Sequence, residues 1–227
     1  MQKVMLGFIV ALIVLTLYSL VDIIASSGKD TEPSLTSVIQ PPSQAVSAVK
    51  KQERFSVQEK KEHFIQTILP AVLTVKQELD TRYEKVKTLS SKQHRSASEE
   101  AWLESMKQQY NVDGIPCLLR RLHTHPVSLV IAQAALETGW GSSRFFKKAN
   151  NIFGIWSYHA DEARIPAAKQ RGEKTIYVKK FASYEDAVRG YFKMVASGYA
   201  YSAFRKARMR TDDPFALLRH LRHYSEL

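Results

Sequence analysis

PVSLVIAQAALETGWG, residues 126–141, is the stretch on which the reading of this chain turns. Pro126 carries the φ of a first helical turn and needs no backbone acceptor there, so it opens a helix. Val127, Val130, Ile131, Ala134, Ala135 and Leu136 then cover most of the surface of three turns, and a helix that is apolar nearly all round is a buried one. Glu137 stands at its end, before Thr138 and Gly139, a residue free to take the positive φ of a helix stop. A carboxylate at the negative end of a helix dipole, beside Leu136 and Trp140, has its charged form disfavoured by the field and by desolvation. The expectation is a raised pKa and a proton to donate, as a general acid needs when a glycosidic bond breaks. The plain alternative is a solvent-facing glutamate at a helix end.

Downstream of this helix the sequence is dense in aromatic residues. Trp140, Phe145, Phe153, Trp156 and Tyr158 all fall within about twenty residues of Glu137. Flat rings stack on sugar faces and also fill cores; Phe145 is assigned to the core. Asn150 and Asn151 suit either a turn cap or a hydrogen bond to an acetamido group. Thr175-Ile-Tyr-Val-Lys-Lys180 alternates as one strand of a hairpin whose other strand is expected near Ile165 to Gln170. Ser183-Tyr-Glu-Asp186 caps a helix through Val188, Tyr191, Phe192 and Val195, and Asp213-Pro214 opens the last one.

Upstream, Ser56-Val-Gln-Glu59 and Ser96-Ala-Ser-Glu99 are capping boxes. The first opens a run with Phe64, Ile65, Ile68, Leu69, Val72, Leu73 and Leu79 at helical spacing, in which Pro70 predicts a kink or a split into two helices. The second opens a helix through Trp102, Leu103, Met106 and Tyr110 that stops at Asn111 to Gly114. Neither brings titratable groups together, so both are assigned to packing. Residues 26–54, with Pro33, Pro41 and Pro42 among Ser, Thr and Gln, compose a linker. Residues 1–25 hold an unbroken apolar run from Met5 to Leu20, which is expected to be a signal anchor with residues 5–24 in the inner membrane, or a cleaved secretion signal.

The chain has 227 residues, 44% of them hydrophobic, a proportion suited to one folded domain with appendages. Its single cysteine, Cys117, excludes an internal disulfide framework and a Cys-rich metal site. The charge of +11 is uneven, with net +2 over residues 1–110 and net +9 over 111–227. The C-terminal half therefore faces something anionic, and an export segment turns that expectation from nucleic acid to lipid or wall polymer. His123 and His125, and His220 and His223, lack further partners at ligand spacing, so no metal and no cofactor are expected.

Ala134-Ala-Leu-Glu-Thr-Gly-Trp-Gly-Ser-Ser-Arg-Phe145, followed by Ala149-Asn-Asn-Ile-Phe-Gly-Ile-Trp156, resembles the signature of the bacterial glucosaminidase family, the mannosyl-glycoprotein endo-β-N-acetylglucosaminidase-like domain, and within it the Bax-like branch. The resemblance covers about residues 55–227 and includes Leu118-Leu-Arg-Arg121, Arg164-Ile-Pro-Ala167, Lys174 to Phe181 and Ala200 to Arg205. It implies a mainly α, lysozyme-like helical lobe with a small β-hairpin beside the cleft, here preceded by the transmembrane helix. The domain plan is then anchor 1–25, linker 26–54, packing helices 55–110 and catalytic domain 111–227. The implied reaction is hydrolysis of the β-1,4 bond after N-acetylglucosamine in peptidoglycan glycan strands, with Glu137 as acid. A second carboxylate on the hairpin is implied as base, and of Asp161, Glu162 and Glu173 the last is favoured by its place at the turn into the strand. Tyr224, in His223-Tyr-Ser-Glu226, matches a tyrosine placed across the cleft. Trp140, Asn151, Phe153, Trp156 and Tyr158 are the expected substrate contacts.

Two departures from the family pattern are visible. The chain stops at Leu227 where a further helix is implied, so a copy shortened at its C-terminus is expected. Met194-Val195-Ala196 replaces a polar, asparagine-containing segment. The alternatives carried forward are a catalytically inactive wall-binding protein and a lytic transglycosylase using Glu137 alone. The expected location is the bacterial inner membrane, single-pass, with the domain outside the cytoplasm, or secretion if the signal is cleaved.

Overall fold

The computed structural model describes residues 56–167 and 175–221. They form α1 (Val57–Ser90), α2 (Ala97–Tyr110), α3 (Ile115–Leu122), α4 (Val127–Thr138), α5 (Arg144–Ala149), β1 (Trp156–Ser157), β2 (Arg164–Pro166), β3 (Tyr177–Lys179), α6 (Tyr184–Ser197), a 3₁₀ turn (Tyr199–Tyr201), α7 (Ser202–Ala207) and α8 (Pro214–Leu218). The molecule is mainly helical, with a small sheet to one side of the chain's midpoint in sequence.

Both N-terminal capping boxes form as the sequence requires. Ser56 accepts from the Glu59 amide while the Glu59 carboxylate takes the Ser56 amide, and Ser96 and Glu99 repeat the exchange. Helix α1 does not divide at Pro70; it runs through all 34 residues. Pro70 sits on the solvent side, while Phe64, Ile65, Ile68, Ala71, Val72, Val75 and Leu79 are buried on both sides of it. That shared stripe keeps the two halves in one continuous helix against the cost of the missing backbone bond, about 3 kcal/mol.

Helix α1 packs against α3, α4 and α6 and forms one wall of a single core reaching from Phe64 to Leu221. Polar ties fix the same contacts. Arg189 on α6 forks onto Glu78 of α1 at 2.7 and 3.0 Å. Thr124 donates to Asp80 at 2.6 Å and accepts from Lys76 at 2.9 Å, pinning the α3–α4 connection to α1.

The expected hairpin is part of a three-stranded sheet in the order β1-β3-β2. Ile165 faces Val178 across the predicted pair, and Trp156 faces Val178 on the other side. Two residues of β1 show no alternation of their own, so only their pairing reveals them as a strand. Arg164 lies over the Tyr177 ring at 4.0 Å and closes the outer pair.

Among the described residues no helix is long and apolar enough to cross a membrane. The expectation of a single-pass inner-membrane protein is corrected accordingly. The apolar run Met5–Leu20 on which it rested, and the linker 26–54, lie outside the described residues.

Candidate active site

Helix α4 is the axis of the site. Every residue from Ser128 to Ala135 is buried, and the helix ends on Gly139 at φ 55° with the Gly139 and Trp140 amides both turned onto the Ala135 carbonyl. Trp140 also takes positive φ, 56°, in this stop. Its ring packs edge-on against Phe64 at 5.8 Å with Lys61 above it at 5.2 Å, so the tryptophan is engaged with α1.

Glu137 is left in the last turn with one flank open to solvent. Across from it, Gly154 at φ 64° brings bare backbone against the carboxylate: a Cβ there would lie 3.0 Å from Glu137 Oε2. The protein around the carboxyl disfavours its charge, and burial pushes the pKa up to about 7. The open flank is the access that a substrate oxygen requires. Tyr201, buried on the 3₁₀ turn, is pushed up to about 12 by its burial and then by the negative charge of Glu137. That tyrosine belongs to the surroundings of the acid, and its only sequence signal was its place in the Ala200 to Arg205 block.

Residues 117–224 match the model of the glucosaminidase family, described as mannosyl-glycoprotein endo-beta-N-acetylglucosaminidase. This region is similar to the glucosaminidase family, and the chain is similar to its Bax-like branch. It is 29% identical over 160 residues to Protein bax of Escherichia coli (strain K12), covering 66% of this chain and 55% of that protein. It is also 28% identical over 105 residues to Exo-glucosaminidase LytG of Bacillus subtilis (strain 168), covering 42% of this chain and 37% of that one. The chain thus spans about half the length of the first relative and over a third of the second. No solved structure matches it.

Around Glu137, the residues singled out by sequence take different places. Phe153 is only 3% exposed, with its ring stacked on Tyr191. Asn151 is buried; its amide donates to the Ile155 and Lys179 carbonyls at 2.9 Å and its oxygen accepts from the Ile155 amide at 2.9 Å. Its side chain therefore builds the turn that carries Gly154 and ties it to β3, with both amide protons used in doing so. Trp156 on β1 is half-buried, 6.3 Å from Tyr158, and Tyr158 is 78% exposed. Tyr158 thus presents an exposed ring beside the sheet, next to the half-buried Trp156.

Of the carboxylates considered as base, Asp161 is exposed in the turn before β2. Glu162 accepts from Lys179 at 2.6 Å and from Ser157 at 2.9 Å, and the Lys179 bond first of all holds it below its ordinary value, ionised and paired. Glu173 and Tyr224 lie outside the described residues.

His125 is built into the core. It is 1% exposed and joined to Tyr191 at 2.8 Å and Arg208 at 3.3 Å. Burial, and then the Arg208 charge, keep it well below the usual histidine range, so it is neutral. His123 lies edge-on to Tyr83 at 5.1 Å. Among the described residues no three His, Cys, Asp or Glu side chains gather as a metal would need.

Proposed function

We propose that this chain is a peptidoglycan glycosidase that cleaves the β-1,4 bond after N-acetylglucosamine, with Glu137 as general acid. The observation that carries the reading is the Glu137 carboxyl itself, half open at a helix end, pressed by Gly154 and protonated up to about pH 7. The match of residues 117–224 to the glucosaminidase family and the similarity to a Bacillus exo-glucosaminidase support the substrate class. The net charge of +11 suits a glycan whose peptide stems carry carboxylates.

In this reading the sugar ring lies across Trp156 and Tyr158, and Glu137 gives its proton to the departing glycosidic oxygen as the bond to the anomeric carbon breaks. The carbonyl oxygen of the substrate's own 2-acetamido group attacks that carbon and forms a cyclic oxazolinium. Glu137, now a carboxylate, takes a proton from water, which opens the ring and leaves a reducing N-acetylglucosamine end. The substrate-assisted route is preferred to Glu162 as base because Glu162 would first have to give up Lys179 and Ser157.

The test is to digest purified peptidoglycan with the chain and with Glu137→Gln and to identify the released ends by mass spectrometry. Reducing N-acetylglucosamine ends that vanish in the variant, while both proteins still sediment with sacculi, support the proposal. 1,6-Anhydro ends replace it with a lytic transglycosylase, and sedimentation without any product replaces it with a wall-binding protein.

A further inference from the structure

Beneath α4 runs a line of buried polar groups that the proposed reaction does not use. Arg208 is 1% exposed, His125 1%, Tyr191 0% and Gln133 4%. Arg208 Nη2 donates to the Arg120 and Arg121 carbonyls at 3.1 and 3.2 Å, and Nη1 approaches His125 Nδ1 at 3.3 Å. A guanidinium has only donors, so Nδ1 accepts and the single proton of neutral His125 is on Nε2. That proton goes to the Tyr191 oxygen at 2.8 Å, and the tyrosine hydroxyl in turn donates to Gln133 Oε1. The chain of bonds therefore has one direction, starting at the arginine and ending on α4. Gln133 lies four residues before Glu137, one turn earlier on the same side of the helix.

The same tyrosine has a second hold. Its ring lies on Phe153 at 4.2 Å and 20° between planes, and Phe153 is bonded to Gly154, the residue whose backbone closes on Glu137 Oε2. Tyr191 thus touches, through one intermediate each, both structures that define where the carboxyl sits: the helix that carries it and the turn that presses on it.

We infer that Tyr191 is a positioning residue for Glu137, its hydroxyl fixing α4 through Gln133 and its ring fixing the 153–154 turn that covers the carboxyl. The inference rests on Glu137 being the working acid, but its test does not. Among the described residues, the titratable groups about this path are Arg208 and His125 at its start, with Lys76, His123, Arg205 and Tyr110 around them, and Tyr201 near Glu137.

Isotope-edited infrared difference spectra of the full chain, with Glu137→Gln subtracted to assign the band, give the titration midpoint of the Glu137 carboxyl directly. Tyr191→Phe keeps the ring and breaks the hydrogen-bond line; Phe153→Leu breaks the stack and no hydrogen bond. In each, the turn loosens, the carboxyl loses protein cover and the charged form gains, so the midpoint should fall by about one pH unit, tenfold in the ionisation constant. Leu103→Val, equally buried but on α2, should lower Tm and leave the midpoint alone. If either Tyr191→Phe or Phe153→Leu folds and keeps the wild-type midpoint, Tyr191 merely stabilises the core and the inference is wrong. A wild-type chain that cuts no glycan would instead remove the proposed reaction, with the midpoints still reporting on Tyr191.

Discussion

Gly154 governs the acid it faces. Its φ of 64° is one that a residue with a Cβ adopts at a cost of about 1–2 kcal/mol, and the added methyl would meet Glu137 Oε2 at 3.0 Å. Gly154→Ala should therefore lower Tm by a few degrees and lower the rate of peptidoglycan cleavage by at least about tenfold, since small misplacements of a reacting group are costly. Sedimentation with sacculi should be unchanged, and a variant with full activity would mean that the turn does not shape the acid. The raised Glu137 pKa also sets the pH response. Only the protonated form can donate, so kcat/KM should fall as pH rises through about 7, a limb far above the range of an ordinary carboxylic acid. Initial rates across that range would show it, and a profile flat up to about pH 9 would be incompatible with Glu137 as the acid.

Among the elements, the short helix α7 and its end have an influence out of proportion to their length. Arg205 Nη1 donates to the Val195 and Gly198 carbonyls at 2.9 and 2.7 Å, at the end of α6, while Arg208 takes the Arg120 and Arg121 carbonyls at the end of α3. Each places a cation at the negative pole of a different helix. The 3₁₀ turn between them and α6 carries Tyr201 beside Glu137, so these two arginines also locate part of the site. Arg205→Ala should cost about 1 kcal/mol, as for a helix-end cation. Arg208→Met should cost about 3 kcal/mol or more, because His125 and two carbonyls lose their donor inside the core. Urea unfolding of the two variants would rank them, and equal losses would contradict this division. The same contrast explains what could be read from sequence. Capping boxes at Ser56 and Ser96, the Ser183 cap and the buried α4 are patterns within a few residues, and all were legible. So was the place of Glu137 at the end of α4, because a helix stop and its last carboxylate are neighbours in the chain. The bond from Arg208 to His125 spans 83 residues and that from His125 to Tyr191 spans 66, distances at which no spacing rule applies. Pro70 does not split α1 because a proline ends a helix only if packing does not hold it, and Phe153 and Asn151 looked like ligand contacts because the core and a sugar site use the same residue types.

For the molecule as a whole, the buried His125 and the half-open Glu137 pull the pH dependence of stability in opposite directions. His125 is kept well below 6.5 by burial first and then by the neighbouring Arg208, Lys76 and His123 charges. Below pH 6.5 the unfolded chain takes up a proton that the folded one refuses, so acidification removes stability, by up to about 1.4 kcal/mol per pH unit for one proton. Glu137 has the opposite sign. Its folded value of about 7 exceeds the ordinary 4.5, so between these the folded chain holds a proton that the unfolded chain lacks, and acidification adds stability, in an amount reduced by the water at its open flank. Between pH 4.5 and 6.5 the two contributions oppose each other, and the wild-type stability should change little. Below 4.5 the acids held down by their partners, Glu78 by Arg189 foremost, add a further loss. Glu137→Gln takes away the compensating proton and leaves the His125 term exposed. Its urea midpoint should decline steadily as pH falls from 6.5 to 4.5, while the wild-type midpoint stays nearly level. Parallel curves for the two proteins across that window would show that the Glu137 carboxyl has no raised pKa in the folded chain, and the acid proposed for catalysis would lose its physical basis.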